Sequence, residues 1–415
     1  MRSELSVALG CIHALRDRPR GALFDGFVRG LSQAGYVVEI ARRYLRAGQH
    51  LVDWIDRRSL PLEKLDELAF ARFVRHIGRC RCPGYGPVKR ATVLPGVHVF
   101  LNYLRDVGIT SVPERTPAPH EPVLLTAFCQ WMRQEHGTSE TTLTKYRPDI
   151  CRLLTRVGDE PSRIDAAVLR TFVLDKHRTA GASMVRICAQ ALRMFIRFLI
   201  ASGQCRAGLD AAIPSIACWD QATLPRFLPA DDVERVLASS RRASPLGRRN
   251  RAILLLLARL GLRAGDIVQL RLGDIDWKDA GIHVCGKSRR PRRLPLTHEV
   301  GQAIVDYVQE GRPRTSTDAL FVTCRAPFRP FASSSSVSQV VVEELRRANV
   351  ARPSRGAAHL LRHSLATTLL REGASLQQIG LLLRHRSVKT TQIYTKVDVA
   401  ALREIAQPWP EVSPC

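Results

Sequence analysis

Apolar positions in the first half of the chain recur at helical intervals. In GYVVEIARRYLRAGQHLVDWI, which begins at Gly35, the residues Ile40, Tyr44, Leu51 and Trp54 fall along one stripe. In GTSETTLTKYRPDICRLLTRV, which begins at Gly137, Leu143, Tyr146, Ile150, Leu153 and Leu154 do the same. Apolar residues three, four or seven apart line one face of an α-helix, so both stretches predict amphipathic helices. Further landmarks repeat in the same order: ARFV with Phe73 against RTFV with Phe172, and VFLNYLRDVG from Val99 against MFIRFLIASG from Met194. The two stretches read as copies of one helical unit. Two Pro-rich stretches, Pro113 to Pro122 and Pro214 to Pro229, separate three segments. Proline removes a backbone donor and restrains its predecessor, so such stretches end helices and act as linkers. The expected domains are 1–112 and 123–212, both helical, joined by 113–122, and after a linker at 213–227 a third at 228–415.

The third segment changes period. Asp231 or Asp232 can cap a helix with Glu234 in its first turn, and Arg248 to Gly261 predicts an apolar helix stopped by glycine. Asp276 to Gly281 then reads as a turn, Ile282 and Val284 alternate with polar neighbours, Gly286-Lys287-Ser288 turns again, and Leu294-Pro295-Leu296 closes a return strand. From Ser334 the pattern is helical again. The fold class is therefore mainly α with a small antiparallel β-sheet: two helical domains followed by a mixed α/β domain.

Length and charge narrow the partners. At 415 residues the chain exceeds what one core usually organises. Sixty-three Lys and Arg against 38 Asp and Glu leave +25, which points to a polyanion, nucleic acid being the commonest. The apolar run Ala252 to Leu260 is too short to span a bilayer, and MRSELSVALG lacks the charged and apolar regions of a signal peptide. The expectation is a cytoplasmic protein without membrane contact. Eleven cysteines without paired spacing argue for reduced thiols. His76, Cys80 and Cys82 are close enough to suggest a metal, but no second Cys or His pair follows at zinc-finger spacing, so neither metal nor cofactor is expected.

Cutting a phosphodiester without metal requires a nucleophile, positive charge on the non-bridging oxygens, a proton acceptor and a proton donor. GLRAGDIVQLRLGDIDW, HLLRHSLATTLL and LLLRHRSVKTTQIYTKV carry candidates for these roles in that order. His359 and Arg362 are three apart, hence on one helix face. Arg263 and Arg362 offer planar forks for phosphate oxygens, cationic at any working pH. The three stretches resemble the boxes of the tyrosine recombinase or phage integrase family, strongly over 228–399, whereas the two upstream segments are similar to that family's core-binding domains only in pattern.

The resemblance implies roles. Arg263 stands as the first clamp arginine, with Asp266 orienting it. Lys287 at the hairpin tip stands as the proton donor to the leaving 5′ oxygen, among Arg289, Arg290, Arg292 and Arg293, which suit phosphate contact. His359 and Arg362 form H-x-x-R, His363 next to them facing elsewhere. His385 is the second histidine, in L-R-H-R-S where the family usually has L-G-H-x-S; Arg384 thus replaces a glycine and would add a phosphate contact. Tyr394, within T-T-x-x-Y, is the nucleophile, and Arg263, Arg362 and His359 would supply both the base and the charge that favours its phenolate. Arg241, Arg242 and Arg248 to Arg251 suit phosphate tracking. The implied function is a DNA recombinase acting through a 3′-phosphotyrosine, for integration, excision or transposition of a mobile element. Implied partners are double-stranded DNA, further copies forming a tetramer on two sites through the apolar tail Val399, Leu402, Ile405 and Trp409, and partner recombinases. A topoisomerase with the same chemistry and a non-catalytic DNA-binding protein of recombinase descent are the alternatives.

Overall fold

The structure is a computed structural model that describes residues 21–85, 89–110, 122–158, 160–217, 225–240, 243–285, 291–351, 356–385 and 387–397. By contacts the described residues divide into two units, one drawn from 1–61, 72–107 and 223–415, the other from 62–71 and 108–222. No helix among the described residues is long and apolar enough to cross a membrane.

The first helical segment runs α1 (Gly21–Gln33), α2 (Val38–Asp56), a 3-10 turn at Leu62–Lys64, α3 (Glu67–Ile77) and α4 (Arg90–Asp106). The second runs α5 (Val123–Gln134), α6 (Glu140–Val157), a 3-10 turn at Pro161–Arg163, α7 (Ala166–Thr179) and α8 (Ala182–Ala201). Element order is the same in both. Burial follows it: Ala41 and Leu143, Leu51 and Leu153, Ile55 and Val157, Phe73 and Phe172, Phe100 and Phe195, and Leu104 and Leu199 are all buried at matching places. Shared order and shared buried positions together are what a duplicated unit leaves behind.

The C-terminal region contains α9 (Ala230–Ala238), α10 (Pro245–Ala258), α11 (Ala264–Gln269), a three-stranded sheet, α12 (His298–Asp306), α13 (Ser334–Arg347), α14 (Ala357–Arg371), α15 (Leu376–Leu382) and α16 (Val388–Thr391), with a 3-10 turn at Gln392–Val397. Asp231 and Asp232 sit in the first turn of α9 rather than at its cap, which is Pro229, so they act on the helix dipole instead of closing an N–H. α10 starts where the Ser244 side chain accepts from Gly247 N at 3.0 Å, with Pro245 in the first turn. Its run from Ala252 to Leu257 is fully buried and forms the centre of the core. The sheet is antiparallel in the order β1 (Ile275–Asp276), β2 (Gly281–Cys285), β3 (Pro291–Pro295). Ile282 pairs with Leu294, and both, with Val284, are buried while His283 is exposed, the alternation a one-faced sheet requires.

Several arginines expected to track phosphate are engaged within the fold instead. Arg248 pairs with Glu310. Arg249 is buried and donates to Val322 O, and Arg251 donates to Leu237 O and reaches Glu299. On the hairpin, Arg293 donates to Asp279 O at 2.6 Å and lies near the Asp276 and Asp279 carboxylates. Acceptors elsewhere in the same region, most of them distant in sequence, engage these guanidinium groups. Arg241 and Arg242 lie outside the described residues.

Glu344 carries the main buried polar junction of this region. It is fully buried, and its carboxylate accepts from Asn250 Nδ2 at 2.7 Å, Ser239 Oγ at 3.0 Å and Arg347 Nη1 at 2.7 Å. Removing one partner of a buried ionic network strands the others. Glu344→Ala is therefore expected to lower unfolding free energy by about 3 kcal/mol, read as a lower urea midpoint at unchanged slope; a change under about 0.5 kcal/mol would show that the junction is not coupled to global stability.

Candidate active site

The site is assembled from three stretches of backbone that converge on two arginines. α10 ends at Ala258, and in the turn that follows Gly261 adopts φ +58, where a side chain would lie 2.6 Å from Leu383 Cδ2 and 3.1 Å from Leu365 Cδ2. The turn leaves Gly261 O pointing at Arg362 from α14, whose guanidinium donates to it and to Leu383 O. Arg263, just after the turn, donates from Nη2 to Arg384 O at 2.9 Å. Each arginine's hydrogen bonds thus go to carbonyls that carry no full charge, and the nearby Asp266 offsets its cationic charge only in part. Burial, and for Arg362 the charge of Arg263, pull both below the ordinary arginine value, Arg362 to about 10. Both remain cationic at neutral pH.

Asp266 is in place but grips something other than expected. Its Oδ2 accepts from the Arg263 backbone N–H at 3.0 Å and from Arg384 Nη2 at 2.6 Å, so it sets the Arg263 main chain and holds the Arg384 side chain. Arg384 itself requires correction. It adopts φ +53, the conformation a glycine would hold without strain, and its side chain turns inward, buried against Asp266 rather than outward to DNA. Adopting that conformation costs a non-glycine residue about 1 kcal/mol, offset here by the ion pair. The Nε and Nη1 of Arg384 are buried without a partner among the described residues. Lys287, Arg289 and Arg290 lie outside the described residues, as do Val399, Leu402, Ile405 and Trp409.

Tyr394 lies in the 3-10 turn after α16 and is 1% exposed, packed with Ala366, Ile379 and Leu383. Its hydroxyl is 2.8 Å from Nδ1 of His363. His363 was expected to face elsewhere; the structure places it on the tyrosine. The signal was available, because His359 and His363 are four apart on α14 and so share a face, with ring centroids 6.2 Å apart. His385 stacks parallel to Tyr394 at 6.4 Å and is held through Nδ1 by Thr391 Oγ1 at 2.7 Å. The phenol is not pushed toward its ionised form. Burial outweighs the opposing charge of Arg362 and raises Tyr394 to about 12. The expectation that the arginines favour a phenolate is corrected for this buried position.

The three histidines are held neutral. Burial lowers His363 and His385 to about 4, with His359 and then Arg362 adding to it at His363 and Arg362 and then Arg263 at His385, and burial followed by Arg362 and Arg263 shifts His359 in the same direction. A neutral imidazole has one nitrogen free to accept a proton and one to donate a hydrogen bond, which is what acid–base work at a phosphate needs.

Residues 226–400 match the phage integrase family. The protein named as integrase/recombinase y4rA of Sinorhizobium fredii is 34% identical over 392 residues, 92% of this chain and 93% of that one. The chain belongs to the phage integrase family of tyrosine recombinases. Tyrosine recombinase XerC of Pelotomaculum thermopropionicum is 31% identical over 67% of this chain and 94% of its own length. The fold is similar to that of XerH site-specific recombinase bound to difH DNA in a post-cleavage complex, with TM-score 0.53, 18% identity, and coverage of 85% of this chain and 99% of that one. Members of the family are DNA strand-transferring enzymes.

The neutral histidines set a pH dependence. Unfolded histidine titrates near 6.5, whereas His363 and His385 titrate near 4 in the folded chain, so between those values the unfolded state binds more protons. Stability is expected to be full above about pH 6.5 and to fall as pH drops toward about 4. Urea midpoints measured across that window are expected to decline less steeply in His363→Gln than in the parent; identical slopes would remove His363 from the account.

Proposed function

We propose that this protein is a site-specific DNA recombinase that cuts and rejoins double-stranded DNA through Tyr394, acting in integration, excision or transposition of a mobile element. The carrying observation is the cationic pair of half-buried Arg263 and buried Arg362, held by neutral carbonyls, with the Tyr394 hydroxyl on the neighbouring His363. A phosphodiester carries one negative charge on two non-bridging oxygens, which is what two such guanidinium groups lack. In this reading Tyr394 Oη bonds to phosphorus, the phenolic proton passes to a neutral histidine, and the bond to the 5′ oxygen breaks. That oxygen takes a proton from Lys287. The products are a 3′-phosphotyrosine and a free 5′ hydroxyl, and reversal by another 5′ hydroxyl restores the phosphodiester without an energy source.

Burial of Tyr394 adds a step. A phenol raised to about 12 among apolar side chains is a poor nucleophile, so attack requires it to leave His363 and approach the arginine pair as DNA binds. The tyrosine is stored until substrate is present, which suits an enzyme whose cleavage must wait for a synapse. Residues 1–112 and 123–212 serve in this reading as helical domains that close over the duplex, with further copies assembling on two sites. A decayed, non-catalytic relative fits less well, because nothing else among the described residues needs a half-buried and a buried guanidinium group beside a buried phenol.

Incubating the protein with DNA from the flanks of its own locus and resolving the products on denaturing gels is expected to show a covalent protein–DNA adduct. Tyr394→Phe is expected to abolish the adduct while DNA binding, measured by mobility shift, is retained. An undiminished adduct in that variant would overturn the assignment of the nucleophile. Relaxation of a plasmid without any target site would favour topoisomerase action instead.

A further inference from the structure

Far from Tyr394 in sequence, the first helical segment gathers four metal-binding side chains. His50, on α2, is 1% exposed; His76 lies in the last turn of α3; Cys80 and Cys82 follow in the loop, Cys80 buried and both free thiols. Their ligand atoms all lie within 4.8 Å of one another. The two Nε2 atoms are 3.4 Å apart, Cys80 Sγ is 3.3 Å from His50 Nε2, and Cys82 Sγ is 3.4 Å from His76 Nε2. A tetrahedral zinc with bonds of about 2.0–2.1 Å to nitrogen and 2.3 Å to sulfur has ligand-to-ligand edges of about 3.3–3.8 Å. The three measured pairs fall at the short end of that range.

Hydrogen bonding alone accounts poorly for the cluster. Two Nε2 atoms that face each other cannot both carry a proton at this distance, thiols are weak donors, and each buried polar group needs a real partner. A divalent cation satisfies all four at once. Two neutral imidazoles and two thiolates around a 2+ ion leave no net charge, which suits burial. The backbone N–H of Cys82 donates to Cys80 Sγ at 3.3 Å, an interaction that favours the thiolate form a metal would need.

The surroundings hold the same loop in place. The Tyr85 ring lies parallel to His50 at 4.2 Å, its hydroxyl donates to Asp53 Oδ2 at 2.6 Å, and Arg46 donates to Gly84 O. Within a turn of the matching positions, the second segment links its second and third helices differently: Lys176 of α7 pairs with Asp149 of α6 at 2.7 Å, both side chains largely buried. That copy has no counterpart of the His and Cys set. The first copy lacks that ion pair and carries four soft ligands instead.

We propose that His50, His76, Cys80 and Cys82 bind one structural zinc ion that fastens the loop after α3 to α2. Four protein ligands close the coordination sphere, so the ion is structural rather than catalytic. Tetrahedral sites of two thiolates and two imidazoles select zinc over harder cations.

The test uses the full untagged chain, purified under reducing conditions without chelator. Elemental analysis is expected to give about one zinc per chain, and a mercurial that titrates thiols is expected to release it. Replacing zinc by cobalt(II) is expected to produce the visible bands of a tetrahedral centre and the near-ultraviolet band of thiolate ligands. Cys82→Ser is expected to lower zinc content at least about fivefold, while Cys205→Ser, in the second segment, leaves it unchanged. The cobalt spectrum is read on the unmutated chain, so the proposal stays testable if Cys82→Ser fails to fold. Less than about 0.2 zinc per chain together with no cobalt bands on reconstitution would overturn it, as would full zinc retention in Cys82→Ser or stoichiometric iron or copper in place of zinc.

Discussion

Three guanidinium groups share one carboxylate in the catalytic region, and the site's other features follow from that imbalance. Arg384 takes the charge of Asp266, and Arg263 and Arg362 are left to backbone carbonyls of Arg384, Gly261 and Leu383. A carbonyl orients a guanidinium without cancelling it. The folded chain therefore carries uncompensated positive charge at a partly dry place, a cost visible in the lowered arginines and in histidines that stay neutral well below their usual range. An anion with oxygens to share removes the cost when it arrives. Stabilisation that is prepared before binding and realised on the reacting group is how electrostatic catalysis operates.

The same carbonyl scheme explains why small backbone details matter. Gly261 must be glycine on two counts, its positive φ and the closeness of Leu383 and Leu365, and its carbonyl is one of the two that hold Arg362. Arg384 occupies a comparable left-handed position with a side chain, and the Asp266 pair compensates. A residue that the family usually fills with glycine has here been turned into a brace between the third box and the first. Arg263 depends on Arg384 through its carbonyl, and its backbone N–H shares Asp266 with the Arg384 side chain, so the two arginines cannot be regarded as independent.

The order of the chemistry was legible in the sequence, since Arg263, His359, Arg362, His385 and Tyr394 are spaced by motifs that survive without any knowledge of packing. So was the hairpin, from the alternation of Ile282 and Val284. What the sequence did not disclose was direction. Arg384 looked like an outward cation because nothing local says that its backbone is left-handed. Arg248 to Arg251 looked like a basic patch because their acceptors, Glu310, Val322 O and Glu299, lie 48 to 73 residues away. His363 was read as facing away from Arg362, which is correct for neighbours on a helix, but the turn carrying Tyr394 packs on the face that His363 shares with His359. The fourth member of the cysteine and histidine cluster, His50, was missed because it precedes the nearest of the other three by 26 residues, and periodic zinc-finger spacing looks only to local or downstream pairs.

Storage of the tyrosine and the uncompensated arginines are two halves of one device. In the described state Tyr394 is neutral, hydrogen-bonded and surrounded by Ala366, Ile379 and Leu383, so it gains little by approaching the arginines, whose donors are already partly taken by carbonyls. A phosphate between them changes both terms. It neutralises the guanidinium groups and offers the phenolic oxygen an electrophile, and Leu383, which contributes its carbonyl to Arg362 and its side chain to the tyrosine's apolar seat, connects the two events directly. In the proposed reading, a shift in Arg362 on meeting phosphate would pull on the backbone of Leu383, whose side chain packs on Tyr394. In that reading, release of Tyr394 is tied to occupation of the arginine pair through a single residue, without any need for a long-range pathway.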